Sequence, residues 1–224
     1  GWYVRTVPLA PPPRRTFLRF DGVYMDSTVF VDGDAVMAWK YGYTSFECEL
    51  SRFAQGDSCQ VALRVRHRMP NSRWYSGAGI YRDVSLIIRP DHHIPADGLY
   101  CASSRQEDGS WLLSLSCEQA GGADGQFCFT VLDAEGNVIV QTAAGPAEQR
   151  LLLRGARLWD VDDPYLYTLR AELMDGGEVR DIQQIPLGLR SLSLDPDRGL
   201  FLNGRHLKIH GACQHHDLGA LGAA

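Results

Sequence analysis

The polar cluster with the clearest chemical character lies near the C-terminus, where His215, His216 and Asp217 are consecutive. Residues 207–213 are predicted to form a strand, so the cluster directly follows the end of that strand. Imidazole can donate or accept a hydrogen bond at neutral pH, which suits recognition of a polar ligand. Two alternatives stay open. One is a solvated surface loop, and the other is a metal site, although adjacent histidines do not easily share one ion and no spaced third ligand is evident.

A second candidate site is the loop that contains Asn71 and Trp74. An indole face can pack on the apolar side of a ring, and an amide can hydrogen bond to hydroxyl groups. The alternative is that Trp74 belongs to a protein core. We favour the core for Trp74 and leave the role of Asn71 open.

The glutamates and the paired histidines are expected to have structural or solvated positions. Glu47 and Glu49 alternate with Cys48, which predicts a strand with both carboxylates facing solvent. His92 and His93 lie in a predicted linker and should be solvated. The other glutamates are expected in turns or on polar strand faces: Glu107, Glu118, Glu135, Glu148, Glu172 and Glu178.

The six cysteines are expected to be reduced and mostly buried thiols. A chain of 224 residues with 45% apolar residues does not need disulfides to build a core. The sequence contains no CxxC pair, so a zinc site is unsupported. We therefore predict no metal.

Composition and charge exclude two classes of protein. The net charge of −5, without a run of basic residues, argues against a nucleic-acid-binding protein. No apolar run approaches the ~20 residues that a membrane-spanning helix requires. The chain begins with Gly1-Trp2 and carries no signal peptide, so we expect it to be an internal stretch of a longer protein. The start of the sequence carries no information on targeting, and we favour a cytoplasmic location unless a signal peptide precedes Gly1.

Strand signals dominate the sequence. Residues 15–21, 27–32 and 60–66 alternate apolar and polar side chains, and no segment before residue 190 has a helical apolar period of useful length. A proline-containing polar stretch at residues 89–98 is a linker candidate. About seven further strands follow in roughly 100 residues, which is the size of an immunoglobulin-like sandwich. The fold class is therefore predicted to be all-β.

Two stretches resemble the non-catalytic domains of glycoside hydrolase family 2. Residues 73–82, RWYSGAGIYR, are similar to the W-x-x-G-[AS]-G-I-[YF]-R segment of that family's sugar-binding jelly roll. Residues 20–26 and 41–46 look like inner strands and a loop of the same domain. Residues 158–167, LWDVDDPYLY, are similar to the L-W…P-x-L-Y passage of the immunoglobulin-like second domain.

A third stretch resembles the entry into the family's (β/α)8 barrel and its first strand. It runs from residues 188–190, GLR, through residues 201–204, FLNG, to His215, His216 and Asp217. The GLR sequence departs from the commoner Gly-Phe-Arg of the family. The hairpin predicted around Asn203-Gly204 fits this position in the chain.

The resemblance implies two β-sandwich domains followed by the start of a barrel. The expected domains are residues 1–91, a jelly roll that is incomplete at its N-terminus, residues 92–190, an immunoglobulin-like sandwich, and residues 191–224, a truncated barrel start. An incomplete sandwich should leave unpaired strand edges and an exposed core face.

The resemblance also implies an activity for the parent protein. Retaining enzymes of this family use two carboxylates about 5–5.5 Å apart, and the resemblance places both glutamates on later barrel strands, beyond Ala224. We therefore expect a β-galactosidase-type parent, an inactive chain, a carbohydrate substrate, no cofactor and possible self-association. His215 would hydrogen bond to a sugar hydroxyl, and the loop with Asn71 and Trp74 would reach towards the barrel.

Two other classes of function stay open. The chain could be a non-catalytic carbohydrate-binding or adhesion module made of two sandwiches, or a structural accessory pair without sugar affinity. Residues 193–224 discriminate an enzyme fragment from a binding module, because a self-contained module has no use for a single barrel strand that ends in His-His-Asp. The sequence that follows His215 favours galactosides over glucuronides and mannosides.

Overall fold

All regular secondary structure in the part of the chain that the structure describes is β-strand. The computed structural model describes residues 1–68, 78–122 and 124–212. The described residues form two compact units, an N-terminal unit of Gly1–Asp91 and a C-terminal unit of His92–Ala212. The prediction of an all-β fold is confirmed.

The strands of the N-terminal unit are short and follow the apolar alternation of the sequence. They are β1 (Trp2–Pro8), β2 (Arg15–Phe20), β3 (Val23–Tyr24), β4 (Ser27–Val31), β5 (Asp34–Trp39), β6 (Phe46–Glu49), β7 (Ser58–Arg64), β8 (Gly79–Ile80) and β9 (Val84–Arg89).

These strands form two antiparallel sheets with a core between them. One sheet has the order β1-β7-β4-β5, the other has the order β6-β2-β9, and β3 pairs with β8. Val29 and Leu63 from the first sheet and Phe20 from the second are nearly inaccessible to solvent. The β4–β5 hairpin turns at Asp32 and Gly33, which both have positive φ and match a two-residue hairpin loop.

One side of this sandwich is open. The edge strands β1 and β9 flank a groove of about 570 Å³, and Tyr3, Arg5, Leu63, Val84 and Leu86 are among its lining residues. We call this feature the open groove. Its apolar lining belongs to the same faces as the core, because side chains two residues apart on a strand share a face.

The C-terminal unit begins with seven longer strands and ends with a small sheet. Its strands are β10 (Leu99–Arg105), β11 (Trp111–Cys117), β12 (Gln126–Leu132), β13 (Val138–Gln141), β14 (Glu148–Leu153), β15 (Tyr167–Asp175), β16 (Glu178–Leu187), β17 (Leu192–Asp195), β18 (Gly199–Leu202) and β19 (Arg205–His206).

Two antiparallel sheets of this unit enclose a large core. Their orders are β10-β11-β14 and β13-β12-β15-β16. Trp111, Phe127, Phe129 and Leu169 are fully buried between them. Tyr167 is also buried, and its hydroxyl accepts a hydrogen bond of 2.8 Å from the backbone N–H of Arg157.

The last described residues differ in part from the sequence prediction. The hairpin at Asn203-Gly204 is present, since β18 pairs with β19 and both turn residues have positive φ. The strand predicted for residues 207–213 is wrong over residues 207–212, which form no strand. The reason is that Leu207 is the last residue to hydrogen bond to β18, through Leu200, and no neighbouring strand continues the ladder in the described residues.

Candidate functional site

The residues that the sequence singled out as site residues lie outside the described part of the chain. They are Asn71, Trp74, His215, His216 and Asp217. The structure therefore neither brings them together nor separates them. The described residues that precede and follow Asn71 and Trp74 along the chain are Arg68 and Ala78.

An exposed cluster of four tyrosines lies in the N-terminal unit, and we call it the tyrosine cluster. Tyr43 is at its centre, with its ring centroid 5.3 Å from that of Tyr24, 5.7 Å from that of Tyr41 and 6.4 Å from that of Tyr81. All three pairs meet edge to face, the arrangement favoured by the aromatic quadrupole. Tyr41 is 60% exposed and Tyr43 is 42% exposed. The cluster thus offers aromatic surface to solvent.

Two glycines allow the segments of the cluster to approach each other. A Cβ atom on Gly42 would lie 2.3 Å from the ring of Tyr24, so only glycine permits this loop to pack on that ring. The Gly42 carbonyl accepts a hydrogen bond of 2.8 Å from the Tyr81 hydroxyl. A Cβ atom on Gly22 would lie 2.7 Å from the ring of Tyr81. The loop between β5 and β6 is therefore fixed against both β3 and the residue that follows β8.

One arginine contacts the cluster, and a second binds a residue close to Tyr24 in the sequence. Arg82 lies against the Tyr81 ring, 5.1 Å from guanidinium carbon to centroid. Arg68 donates a hydrogen bond of 2.5 Å from Nε to Asp26, two residues after Tyr24. Aromatic faces, hydroxyl groups and guanidinium donors together suit a polyhydroxylated ring, because such a ring has apolar faces and a polar rim.

Sequence reasoning did not identify the tyrosine cluster as a site. The stretches that contain Tyr24, Tyr41 and Tyr43 were interpreted only as inner strands and a loop. The usable signal was the pair of tyrosines at alternate positions in a glycine-containing loop, residues 40–44, KYGYT. Their meeting with Tyr24 and Tyr81 depends on long-range strand pairing, which alternation alone does not specify.

The prediction that Glu47 and Glu49 simply face solvent is wrong. Both lie on the outward face of the β6-β2-β9 sheet, but their side chains are only 12% and 21% exposed. The Glu47 carboxylate accepts hydrogen bonds of 2.7 and 3.0 Å from the two terminal nitrogens of Arg89, and Arg19 lies 3.5 Å away. Glu49 pairs with Arg15 at 3.3 Å. Strand pairing places these arginines beside the glutamates, so both carboxylates form ion pairs.

The prediction that His92 and His93 are solvated is also wrong, because both are buried. Nε2 of His92 lies 2.9 Å from the side-chain oxygen of Gln119. A Cβ atom on Gly122 would lie 2.6 Å from this ring, so a glycine-containing turn covers it. His93 exchanges backbone hydrogen bonds of 3.0 and 2.9 Å with Ala120. The linker therefore ends at His92, where the C-terminal unit begins.

The described cysteines are all free thiols, and four of the five are buried, as expected. Burial raises the pKa of Cys48 and of Cys101 to about 11, and that of Cys117 to about 12. Such thiols are poor nucleophiles at neutral pH. Cys213 lies outside the described residues.

The described residues contain neither a metal-binding cluster nor a membrane-spanning helix. No group of three or more His, Cys, Asp or Glu side chains in these ranges is arranged to hold a metal ion. No helix in the same ranges is long and apolar enough to cross a membrane.

Comparison with known proteins gives matches to one family along most of the chain. Residues 1–90 match the model of "Glycosyl hydrolases family 2, sugar binding domain", and residues 97–190 match the model of "Glycosyl hydrolases family 2". The chain is 40% identical over its whole length to the beta-galactosidase BoGH2A of Bacteroides ovatus. It is 34% identical, over 94% of its length, to a beta-glucuronidase of Bacteroides fragilis.

The structural comparison agrees with the sequence comparison. The structure of a beta-glycosidase from Bacteroides vulgatus matches 99% of the chain with a TM-score of 0.87 and 31% identity. The chain spans only part of these proteins: 28% of the B. ovatus enzyme, 34% of the B. fragilis enzyme and 30% of the B. vulgatus structure. The chain carries the sugar-binding and immunoglobulin-like domains of this family, in the family's order. These two matches and the relatives above show that the chain belongs to glycosyl hydrolases family 2.

Proposed function

We propose that this chain is the non-catalytic β-sandwich part of a longer retaining glycosidase that hydrolyses terminal β-galactosides. The observation that carries the proposal is the 40% identity to the B. ovatus beta-galactosidase along the entire chain. The catalytic glutamates of such an enzyme lie outside these 224 residues, so the chain alone is inactive. The ion pairs of Glu47 and Glu49 support this division, since neither carboxylate is free to act as an acid or a nucleophile.

The tyrosine cluster is the described surface that best fits a role in sugar recognition. Tyr41 presents its ring to solvent, and Tyr43 is supported on two sides by Tyr24 and Tyr81. We propose that five residues outside the described ranges contact the sugar in the longer protein. They are Asn71 and Trp74, which come between β7 and β8 in the sequence, and His215, His216 and Asp217 near the end of the sequence. We also propose self-association of the longer protein, which the family resemblance implies.

A second candidate activity is hydrolysis of β-glucuronides. The observation in its favour is the 34% identity to the B. fragilis beta-glucuronidase. The two substrates differ at C5, where a glucuronide has a carboxylate and a galactoside has a hydroxymethyl group, and in the configuration of the C4 hydroxyl. An enzyme that recognises the carboxylate needs a cationic or hydrogen-bonding partner for it.

The test is a comparison of p-nitrophenyl β-galactoside and p-nitrophenyl β-glucuronide as substrates. The longer protein should turn over the galactoside with the higher kcat/KM, and the 224-residue chain should release no p-nitrophenol above background from either. Preference for the glucuronide would replace the first candidate by the second. Turnover by the chain itself would refute the proposal that the catalytic glutamates lie outside these 224 residues. Sugar binding without turnover by the longer protein would favour a carbohydrate-binding module.

A further inference from the structure

The outward face of the β10-β11-β14 sheet in the C-terminal unit carries a pocket of about 480 Å³. Trp111, Leu113 and Leu115 of the central strand β11 are buried in the core. Side chains alternate between the two faces of a strand, so the positions between these residues point to solvent. Six outward residues line the pocket, which we call the serine pocket: Tyr100, Ala102, Ser114, Ser116, Glu148 and Arg150.

Strand pairing arranges these side chains in two rows across the sheet. One row consists of Tyr100, Ser116 and Glu148. The other row consists of Ala102, Ser114 and Arg150. Neighbouring strands lie about 4.8 Å apart, so the backbones at the two ends of a row are separated by about 10 Å. The aromatic ring and the two charged groups therefore surround a floor of small side chains.

The polar groups at the rim of the serine pocket have no partner within the described residues. Tyr100 is 63% exposed. Its hydroxyl, the Glu148 carboxylate and the Arg150 guanidinium form no hydrogen bond or ion pair with any residue in the ranges 1–68, 78–122 and 124–212. On the outward face of the other large sheet of this unit, by contrast, Arg170 and Glu172 pair at 3.3 Å. The three groups of the serine pocket are therefore available to a ligand.

The chemistry of the serine pocket matches a neutral pyranose ring. Such a ring has an apolar face of C–H groups, which can pack on an aromatic side chain, and hydroxyl groups that both donate and accept hydrogen bonds. Glu148 supplies an acceptor and Arg150 supplies donors. Their formal charges cancel, so the pocket offers no excess charge to an anionic or a cationic ligand. Its volume lies within the range of small-molecule sites, which is about 300–1,000 Å³.

We propose that the serine pocket binds one neutral pyranose unit of a glycan chain. The ring of Tyr100 packs against the apolar face of the sugar, and Glu148 and Arg150 hydrogen bond to its hydroxyl groups. This inference goes beyond the proposed function, because it concerns binding without hydrolysis by the C-terminal unit. It does not depend on which glycoside the longer protein cleaves.

Residue-assigned ¹H–¹⁵N spectra of the 224-residue chain, titrated with the β-linked tetrasaccharides of galactose, glucose and mannose, test the proposal. At least one of the three sugars should shift the amide signals of Tyr100, Ser116 and Arg150. Tyr100→Ala should then raise the Kd about tenfold or more, because the aromatic platform is lost. Absence of shifts at these amides with all three sugars would overturn the proposal.

Variants of the two charged residues and a matched control sharpen this test. Glu148→Gln and Arg150→Gln should each raise the Kd several-fold, since a charged hydrogen-bonding partner is removed. Leu152→Ala, on the same face of β14 but outside the serine pocket, is the control and should leave the Kd unchanged. All of these positions are exposed, so none of the substitutions should change Tm. Equal effects of Leu152→Ala and Tyr100→Ala on the Kd would contradict a specific site.

Two further comparisons separate this inference from the proposed function. If Tyr41→Ala in the tyrosine cluster abolishes binding and Tyr100→Ala does not, the sugar binds at the tyrosine cluster and the inference is wrong. Binding by the chain that is absent from the longer protein would mean that the serine pocket is covered there, and would also overturn the inference. Galactoside turnover by the longer protein is a separate readout, so failure of the proposed function would leave sugar binding by the chain standing.

Discussion

The two units are built from the same pattern of alternating side chains, yet among the described residues the facing sheets of the C-terminal unit bury their apolar side chains, whereas the N-terminal unit leaves a groove beside β9. On β12 and β15 of that unit, Phe127, Phe129, Leu169 and Leu173 have no accessible surface. On β9 of the N-terminal unit, an equally apolar alternation leaves its side chains about half exposed. Alternation therefore specifies which face of a strand is apolar. Burial of that face depends in addition on the neighbouring strand that covers it.

A further difference lies in where each unit places its charges. The outward face of the β6-β2-β9 sheet carries ion pairs of Glu47 with Arg19 and Arg89, and an ion pair of Glu49 with Arg15. Most ion pairs described in the C-terminal unit are more exposed, as in Arg157 with Asp163, at 59% and 53% side-chain exposure, and Arg170 with Glu172, at 28% and 17%, is an exception. Exposed pairs contribute little to the free energy of unfolding because water and salt screen them. The shielded pairs of Glu47 are therefore expected to contribute more than the exposed pair of Arg157 and Asp163.

The largest predicted effect is loss of a core aromatic ring from the closed unit. Phe129→Ala removes a ring with no accessible surface that lies opposite Ala171 on β15. We expect a loss of about 3–5 kcal/mol in the free energy of unfolding of the C-terminal unit, because a cavity remains. Urea unfolding measures it, with Val138→Ala, at a 57% exposed position of the same sheet, as the control. A loss below that of the control would contradict a closed core.

An intermediate effect is expected for the ion pairs of the open unit. Glu47→Gln keeps the shape of the side chain but removes the charge that faces Arg89 and Arg19. We expect the N-terminal unit to lose about 2 kcal/mol, the scale of hydrogen bonds to charged groups in a partly buried site. Glu135→Gln, at an exposed turn position, is the matched control and should change the stability little. Equal effects of the two substitutions would show that the network contributes nothing.

A small effect is expected from truncation of a groove residue. Leu86→Ala on β9 should cost less than about 1 kcal/mol in the 224-residue chain, since much of the side chain is already exposed. Leu63→Ala, at a buried position of the same groove, should cost about 2–5 kcal/mol. The ratio of the two losses in urea unfolding measures how open the groove is. Similar losses would mean that the groove is closed in solution.

The smallest effect concerns acid sensitivity of a hairpin loop. A hydrogen bond from the Asn137 side chain lowers the pKa of Asp133 below its usual value. A lowered pKa in the folded state contributes stability above the unfolded pKa of about 4, and this contribution is lost as the pH falls through the folded pKa. Asn137→Ala should therefore slightly reduce the stability of the C-terminal unit at pH 7 and no longer do so near pH 2. A difference that persists at pH 2 would rule out this linkage.

Local patterns predicted much of the fold and little of the site. Alternation predicted the strands that became β2, β4 and β7, and Asn203-Gly204 predicted its hairpin. Pairing across long sequence distances was not predictable from these patterns. It placed Arg89 beside Glu47, brought Tyr81 to the loop of Tyr43 and buried His92 under a glycine turn. The residues 207–212 had a strand sequence but no partner strand, so sequence preference alone was not sufficient there.

Residue-resolved hydrogen exchange of the 224-residue chain in increasing urea tests the contrast between the two units most directly. We predict that amides of β12 and β15 exchange last and only through global unfolding of the C-terminal unit, while amides of β1 and β9 exchange first, by opening at the groove. Protection of β9 equal to that of β12 would contradict an open N-terminal unit.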